Sequence, residues 1–267
     1  MALDVGAARL PWSFSMPRSG AGYWWSSFRT MLRWDVASLR LDLPIVVIIQ
    51  LIAGAGIVVM MSLLVPGDPP RAAVEYLAAG VPVVNLYLLG LVFGPQWIAE
   101  QRAADSYDAT RVLPCPRSAS LAAWYAVTLA AGVPGMLGTL VVAAWRYHID
   151  FTVSPMILPA VLLVAVSGTM IGAAIGHGVG EPMISRIGVQ AINMFVVGFT
   201  PTLFPVDRLP DWLQAINVVL PFEHMSALLR ATLTAGPVDD LGLSCLVVVA
   251  WSAACAGLAA WAMGRRG

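Results

Sequence analysis

Apolar and polar positions alternate along this chain in long blocks. Six stretches of about twenty residues contain no Asp, Glu, Lys or Arg. Because a helix rises about 1.5 Å per residue, ~20 apolar residues cross the roughly 30 Å hydrocarbon core of a bilayer. We therefore predict an all-α polytopic membrane protein with six transmembrane helices, within a few residues of 44–64, 76–98, 121–145, 153–177, 187–204 and 241–263.

Composition supports this prediction. Hydrophobic residues make up 59% of the chain and charged residues 11%, with a mean hydropathy of +0.79. Ordinary soluble domains carry about 25% charged residues, so a soluble fold is excluded. The chain has 267 residues, and the six spans with their connections use nearly all of it after residue 43. We expect one membrane domain over residues 43–267.

The distribution of arginine predicts the orientation. All 15 basic residues are Arg. All but four precede the first span, follow the second or fourth span, or end the chain, and basic residues mark the cytoplasmic side. Both termini are therefore predicted to be cytoplasmic. The absence of lysine is typical of a GC-rich genome, which favours a bacterial cell membrane.

The N-terminal region divides into two parts. Residues 1–22 are predicted to be a cytoplasmic tail. Over residues 23–42, large apolar side chains recur at helical spacing while arginines occupy another face, which is typical of an amphipathic helix in the membrane interface. A helix packed on a partner protein is the alternative. The apolar positions are Trp24, Trp25, Phe28, Met31, Leu32 and Leu39, and the basic positions are Arg29, Arg33 and Arg40.

The connection 99–120 is the longest predicted cytoplasmic loop. Its charges alternate in sign, so it offers a charged but nearly neutral surface, and its polar helix should stop before Pro114. A solvated linker is the alternative. The charged positions before Pro114 are Glu100, Arg102, Asp105, Asp108 and Arg111, and Arg117 follows it.

Small residues mark one face of the fourth span. Glycines recur there at four-residue steps, a spacing that lets two helices approach closely in lipid. Helix packing is the favoured interpretation, and ligand binding on that face is the alternative. The positions are Gly168, Gly172, Gly176 and Gly180.

Four amide side chains lie at predicted membrane depth: Gln50, Asn85, Gln190 and Asn193. A polar group in the bilayer interior is costly unless it has a partner or faces a cavity. These residues could line a cavity between the first, second and fifth spans, or they could form hydrogen bonds between helices. The sequence leaves both interpretations open.

The segment 205–235 is too apolar for an exposed loop and too broken for a span. Its prolines divide it into helices of about ten residues, too short to cross the bilayer. We predict a re-entrant pair of helices that dips into the outer leaflet, with several residues at the outer gate. Those residues are Phe204, Pro205, Pro210, Trp212, Pro221, Glu223, His224 and Arg230.

From about residue 23 onward the chain resembles the permease subunits of type-2 ATP-binding-cassette exporters. The resemblance rests on the N-terminal helix, the six spans, the charged loop after the second span and a loose motif before the last span. That motif consists of Phe204-Pro205, Leu209-Pro210, Trp212, Leu220-Pro221 and Arg230.

The resemblance implies a permease that works with two copies of a cytoplasmic ATPase and with a second permease chain, identical or paralogous. Residues 99–120 would be the loop that couples to the ATPase, and the spans carrying the four amides would form the pathway. ATP and Mg would be used by the ATPase. A GxxxxGK[ST] phosphate loop needs a lysine that this chain lacks, so we expect the chain to supply no ATPase. We also expect no catalytic residue, bound cofactor, metal or nucleic acid here.

The substrate is predicted from the pathway residues. They are uncharged and mostly apolar, which favours a drug, an antibiotic or a lipid-like compound over a lipid-linked polysaccharide. A membrane-embedded enzyme would need a nucleophile with a base, or paired carboxylates, at a shared depth, and the sequence offers neither. A proton-driven secondary transporter would usually place acidic residues within its spans.

Overall fold

The computed structural model describes residues 20–64, 71–103, 115–234 and 240–265, and no strand occurs in these ranges. A π-helical segment covers Leu89–Phe93, and a 3-10 turn covers Val206–Arg208. The helices are α1 (Ala21–Ser38), α2 (Asp42–Leu64), α3 (Arg71–Leu88), α4 (Gly94–Ala103), α5 (Arg117–Tyr147), α6 (Ile157–Gly178), α7 (Pro182–Phe199), α8 (Asp211–Val219), α9 (Pro221–Leu233) and α10 (Leu241–Arg265).

Within the described part of the chain, six helical stretches are long and apolar enough to cross a membrane, which confirms the predicted fold class. They are Asp42–Met60, Ala73–Ala103, Arg117–Tyr147, Ile157–Gly178, Pro182–Phe199 and Leu241–Gly264.

The fifth span differs from its predicted bounds by five residues at each end, and prolines explain this shift. Pro182 occupies the first turn of α7, where a missing N–H costs nothing, so this span starts before residue 187. The residue before a proline disfavours the α region, and α7 accordingly ends at Phe199, before Thr200-Pro201. The fourth span starts at Ile157 rather than 153, because Thr152 and Ser154 bond instead to carbonyls at the end of α9.

The second span, formed by α3, the π-helical segment and α4, lies at the centre of the fold. In its most apolar stretch 78% of the residues are buried within the chain, against 17% for α2 and for α7. It contacts α2, α5, α6, α7 and α9. The other helices are therefore arranged around this span.

The predicted N-terminal helix is present as α1, two residues longer at its start and about four residues shorter at its end than predicted. Met31 and Ser27 are buried against α5, and Trp24 Nε1 donates a hydrogen bond to Ser118 Oγ at 3.0 Å. The Arg29 guanidinium lies 5.3 Å from the centre of the Trp25 ring. Of the predicted tail, residues 1–19 lie outside the described residues.

Successive spans alternate in direction, so the bundle has two ends. We call the end where α4 stops and α5 begins the loop face, since residues 99–120 connect these helices. We call the opposite end the pair face, because the short helices α8 and α9 lie there.

Candidate functional site

The α8–α9 pair reaches deep along two spans. In α9, Phe222 lies 5.5 Å from Tyr87 between ring centres, and Arg230 lies 3.5 Å over the ring of Tyr76. Helix α9 therefore runs antiparallel to α3. At the turn between α8 and α9, the Val219 carbonyl accepts a hydrogen bond of 2.8 Å from Trp251 Nε1.

The depth of that turn follows from helix geometry. Trp251 lies ten residues after Leu241, where α10 begins. At 1.5 Å per residue the turn is about 15 Å along α10 from the pair face.

A short segment after α7, Thr200–Pro201–Thr202, is held between α3 and α9, and we call it the latch segment. Tyr76 Oη donates to the Pro201 carbonyl at 2.7 Å, and Arg230 Nη2 donates to the Thr202 carbonyl at 3.3 Å. Ser226 Oγ donates to Thr202 Oγ1 at 3.2 Å. These bonds connect the end of the fifth span to the second span and to α9.

Gly80 on α3 explains why the latch segment can approach so closely. A Cβ atom at Gly80 would overlap the carbonyl oxygen of Thr202, so only glycine leaves room for this backbone. Both threonines of the segment are buried. The latch segment is therefore packed into the bundle and is not a surface loop.

Arg230 is the charged group of this site. Its Nε has no hydrogen-bond partner among the described residues, while Nη2 bonds the latch segment. Arg230 therefore holds the site by stacking and by its carbonyl bond.

His224, predicted at an outer mouth, is buried at the base of the pair. Its Nε2 lies 2.9 Å from the Val218 carbonyl, which can only accept, so Nε2 carries a proton. Nδ1 lies 3.0 Å from Ser244 Oγ on α10. This histidine joins α8, α9 and α10.

The remaining predicted gate residues are spread over the pair. Pro221 is buried, Phe204 and Pro205 are half-buried, and Pro210 and Trp212 are exposed. The structure does not bring Trp212 to the latch segment.

Gln50 and Asn85 meet between α2, α3 and α5. Gln50 Nε2 donates to the Asn85 carbonyl, and Asn85 Nδ2 donates to the Gln50 carbonyl, both at 3.3 Å. Asn85 Nδ2 also donates to Thr139 Oγ1 at 2.8 Å. The absence of a side chain at Gly54 and Gly135 leaves room for these side chains, since a Cβ at either position would overlap them. The geometry is that of hydrogen bonds between helices.

Gln190 and Asn193 are placed differently from the other two amides. Gln190 is exposed and Asn193 half-buried on α7, which packs on α4, the π-helical segment and α6. Asn193 Oδ1 is buried with no hydrogen-bond partner in the described part of the chain. The two pairs of amides therefore do not form one cluster.

The glycines of α6 lie against the backbone of the second span. A Cβ at Gly168 would lie 2.6 Å from the Tyr87 carbonyl oxygen, and one at Gly176 would lie 3.1 Å from Pro95 Cα. A Cβ at Gly172 would overlap the carbonyl of Gly90, in the π-helical segment. Including Gly180 in this helix face was wrong, because α6 ends at Gly178 and the chain then turns to reach Pro182 at the start of α7.

Of the predicted loop charges, Glu100 and Arg102 lie in α4, while Asp105, Asp108 and Arg111 lie outside the described residues. Glu100 is exposed. Arg102 is half-buried, and its guanidinium donates to the carbonyls of Val179 and His177 at the end of α6. This contact with the end of the fourth span was not predicted.

The described residues contain no group of three or more His, Cys, Asp or Glu side chains that could hold a metal ion. The charged and polar groups that do cluster bond to backbone carbonyls, as in the latch segment. The arrangement holds the helices of the bundle together.

A family model of the ABC-2 family transporter proteins matches residues 52–261. The chain belongs to this family. The match extends from the first span to the end of the sixth, which confirms the resemblance drawn from the motif at 204–230. A search of curated proteins found no match.

As a member of this family, the chain is an ABC-2 permease, the multi-pass membrane component of a transporter. Membership of the family implies association with an ATPase subunit. Several residues that make contacts between helices in this permease were not predicted from the sequence. They are Tyr76, Gly80, Thr139, Thr202 and Ser226. In the sequence, only the spacing of Gly80 one turn after Tyr76 could have indicated the contact with the latch segment.

Proposed function

We propose that this ABC-2 permease is the membrane subunit of an ATP-driven exporter. It would move a lipophilic substrate, such as a drug, an antibiotic or a lipid-like compound, out of the cytoplasm or the inner leaflet. The observation that carries the proposal is the family match over 52–261, which covers a central second span running from the latch segment to the loop face.

The proposal places the loop face in the cytoplasm of a bacterial cell, with both termini there. The arginine bias supports this orientation, since only Arg71, Arg146, Arg208 and Arg230 belong to the other side. Residues 99–120 would dock on a separate ATPase chain that binds ATP and Mg, in two copies per transporter. The permease itself would carry no catalytic group.

The pair face would then be the outer gate. The turn between α8 and α9 lies about 15 Å along α10, roughly half of a 30 Å hydrocarbon core, as a re-entrant pair requires. Irregular backbone at that depth needs shielding by protein, and Trp251 bonds the Val219 carbonyl there. Release of the latch segment from Tyr76 and Arg230 would open this end.

A second permease chain would complete the pathway. Helices α2 and α7 are poorly covered within one chain, each with 17% of its apolar stretch buried. Gln190 and Asn193 lie on α7, surrounded by apolar side chains, which suits a lipophilic substrate. Gln50 and Asn85 already bond to each other's helices, so we assign the α7 pair to the pathway.

The first test is affinity purification of the chain from its native membrane in a gentle detergent, followed by mass spectrometry. We expect an ATPase subunit with its own phosphate loop in stoichiometric amount. Reproducible absence of any such subunit would refute the proposal.

A second test addresses the loop. Charge reversal by Glu100→Lys should reduce efflux of a lipophilic fluorescent dye from cells at least fivefold, because opposite charges at a docking surface determine its register. Glu181→Lys, another exposed carboxylate on the loop face, is the matched control. Equal efflux by both variants, at equal amounts in the membrane, would remove the loop from the mechanism.

A third test addresses the pathway. Gln190→Leu and Asn193→Leu should change which dyes are exported and leave the melting temperature of the purified chain unchanged. A lower melting temperature with an unchanged dye range would assign both residues to packing.

A further inference from the structure

The two ends of the loop between the second and third spans are each attached to the end of another helix. On the N-terminal side, Arg102 in α4 donates to the carbonyls of Val179 and His177, the latter at 3.4 Å. Both carbonyls lie at the loop-face end of α6. The end of the second span is thereby joined to the end of the fourth.

On the C-terminal side of the loop, Arg117 begins α5. Its Nη1 donates to the Ala260 carbonyl in the last turns of α10 at 3.4 Å. A Cβ at Gly264 would lie 3.1 Å from the same nitrogen, so the arginine is closely fitted against the end of the sixth span. The next residue, Ser118, accepts the hydrogen bond of Trp24 from α1.

These contacts fit the chemistry of helix ends. The last four carbonyls of a helix have no partner within it, and the helix dipole makes this end negative. The His177 carbonyl is one of these four in α6, while the Ala260 carbonyl lies two residues before them in α10. A guanidinium is a rigid, permanently charged fork of donors, so it satisfies such carbonyls better than a flexible ammonium does. Each arginine therefore joins its own helix to the end of its neighbour with little freedom between them.

We propose that Arg102 and Arg117 are positioning residues that pass movement of the loop to the fourth and sixth spans separately. The inference rests on the proposed coupling function of residues 99–120. Force applied to the N-terminal flank of the loop would move α6, which lies against the π-helical segment of the second span. Force on the C-terminal flank would move α10, which carries Trp251 and the base of the outer pair.

The experiment is hydrogen–deuterium exchange with mass spectrometry on the full chain in nanodiscs, alone and with its co-purified ATPase. The variants are Arg102→Gln and Arg117→Gln, and each serves as a control for the other. Arg186→Gln, an exposed arginine on the loop face, is the neutral control.

In the isolated chain, Arg102→Gln should speed exchange over 176–182 by about fivefold, the loss expected when a cation leaves a helix end, and should leave 258–265 unchanged. Arg117→Gln should do the reverse. If neither variant differs from Arg186→Gln, the inference is overturned.

In the complex, MgATP with orthovanadate should change exchange over both segments of the wild type. Arg102→Gln should abolish only the change at 176–182, and Arg117→Gln only that at 258–265. A purely stabilising role would leave both changes in place, which overturns the inference. Failure of the proposed function itself is a separate result, namely no ATPase-dependent protection of residues 99–111.

Discussion

Replacing Gly168 by alanine tests a close backbone contact between α6 and α3. The added Cβ would lie 2.6 Å from the Tyr87 carbonyl oxygen, 2.9 Å from its Cα and 3.1 Å from its carbonyl carbon. Ordinary Cβ contacts begin at 3.4 Å, so α6 and α3 must separate by about 0.8 Å. All three neighbouring atoms are backbone, so no side-chain rotation can relieve the overlap.

The expected cost follows from this geometry. Inserting a methyl group into a packed interior costs about 1–3 kcal/mol. For a chain of this size each kcal/mol lowers the melting temperature by about 2–4 °C, so we expect a decrease of about 3–10 °C. Thermal unfolding of the purified chain, followed by intrinsic tryptophan fluorescence in one detergent, measures it.

Two alanine variants calibrate the result. At Gly257 on α10, nothing lies within 4 Å of the Cβ position, so the melting temperature should stay the same or rise. At Gly132 the nearest atom is Leu86 Cδ1 at 3.3 Å, a flexible side-chain end, so the decrease should be smaller than for Gly168→Ala. A Gly168→Ala protein as stable as Gly257→Ala would refute the reasoning.

Three further outcomes are expected in the same melting assay. Burial raises the pKa of Asp35 from 3.8 to about 7, so the stabilising contribution of this carboxyl is present below pH 3.8 and is lost as pH rises to about 7. The melting temperature of Asp35→Asn relative to the wild type should therefore increase from pH 4 to pH 7. A difference in melting temperature that does not change with pH would contradict this expectation. Tyr76→Phe removes the hydrogen bond to the Pro201 carbonyl and should cost about 1 kcal/mol, against no change for Tyr23→Phe. Asn85→Leu removes hydrogen bonds between helices and should lower the free energy of unfolding by about 1 kcal/mol, while the range of exported dyes stays unchanged. An altered dye range with unchanged stability would place Asn85 in the pathway.

Local patterns were enough to predict the elements of this fold. Uncharged stretches of bilayer length predicted the six spans, because a chain in lipid must satisfy its backbone internally, and prolines divided the segment before the last span into α8 and α9. The four-residue glycine spacing on the fourth span indicated a face of small residues before any contact was known.

Contacts between distant elements could not be predicted in the same way. Gln50 and Asn85 belong together, and Gln190 and Asn193 do not join them, because helix order around the central span decides which amides meet. Arg102 was predicted only as one charge of the loop, since its carbonyl partners lie 75 residues or more further along the chain.

The sequence by itself therefore determined the solvent and the number of spans, since each depends on hydropathy and length within one segment. It also predicts the orientation of the spans from the distribution of arginine. Only the tertiary structure decided that Arg230, Tyr76 and Gly80 hold the latch segment, and that Arg102 and Arg117 bond to carbonyls near the ends of other spans. The physical reason is that a buried backbone carbonyl carries no side-chain signature. Its partner becomes known only when the helices are packed.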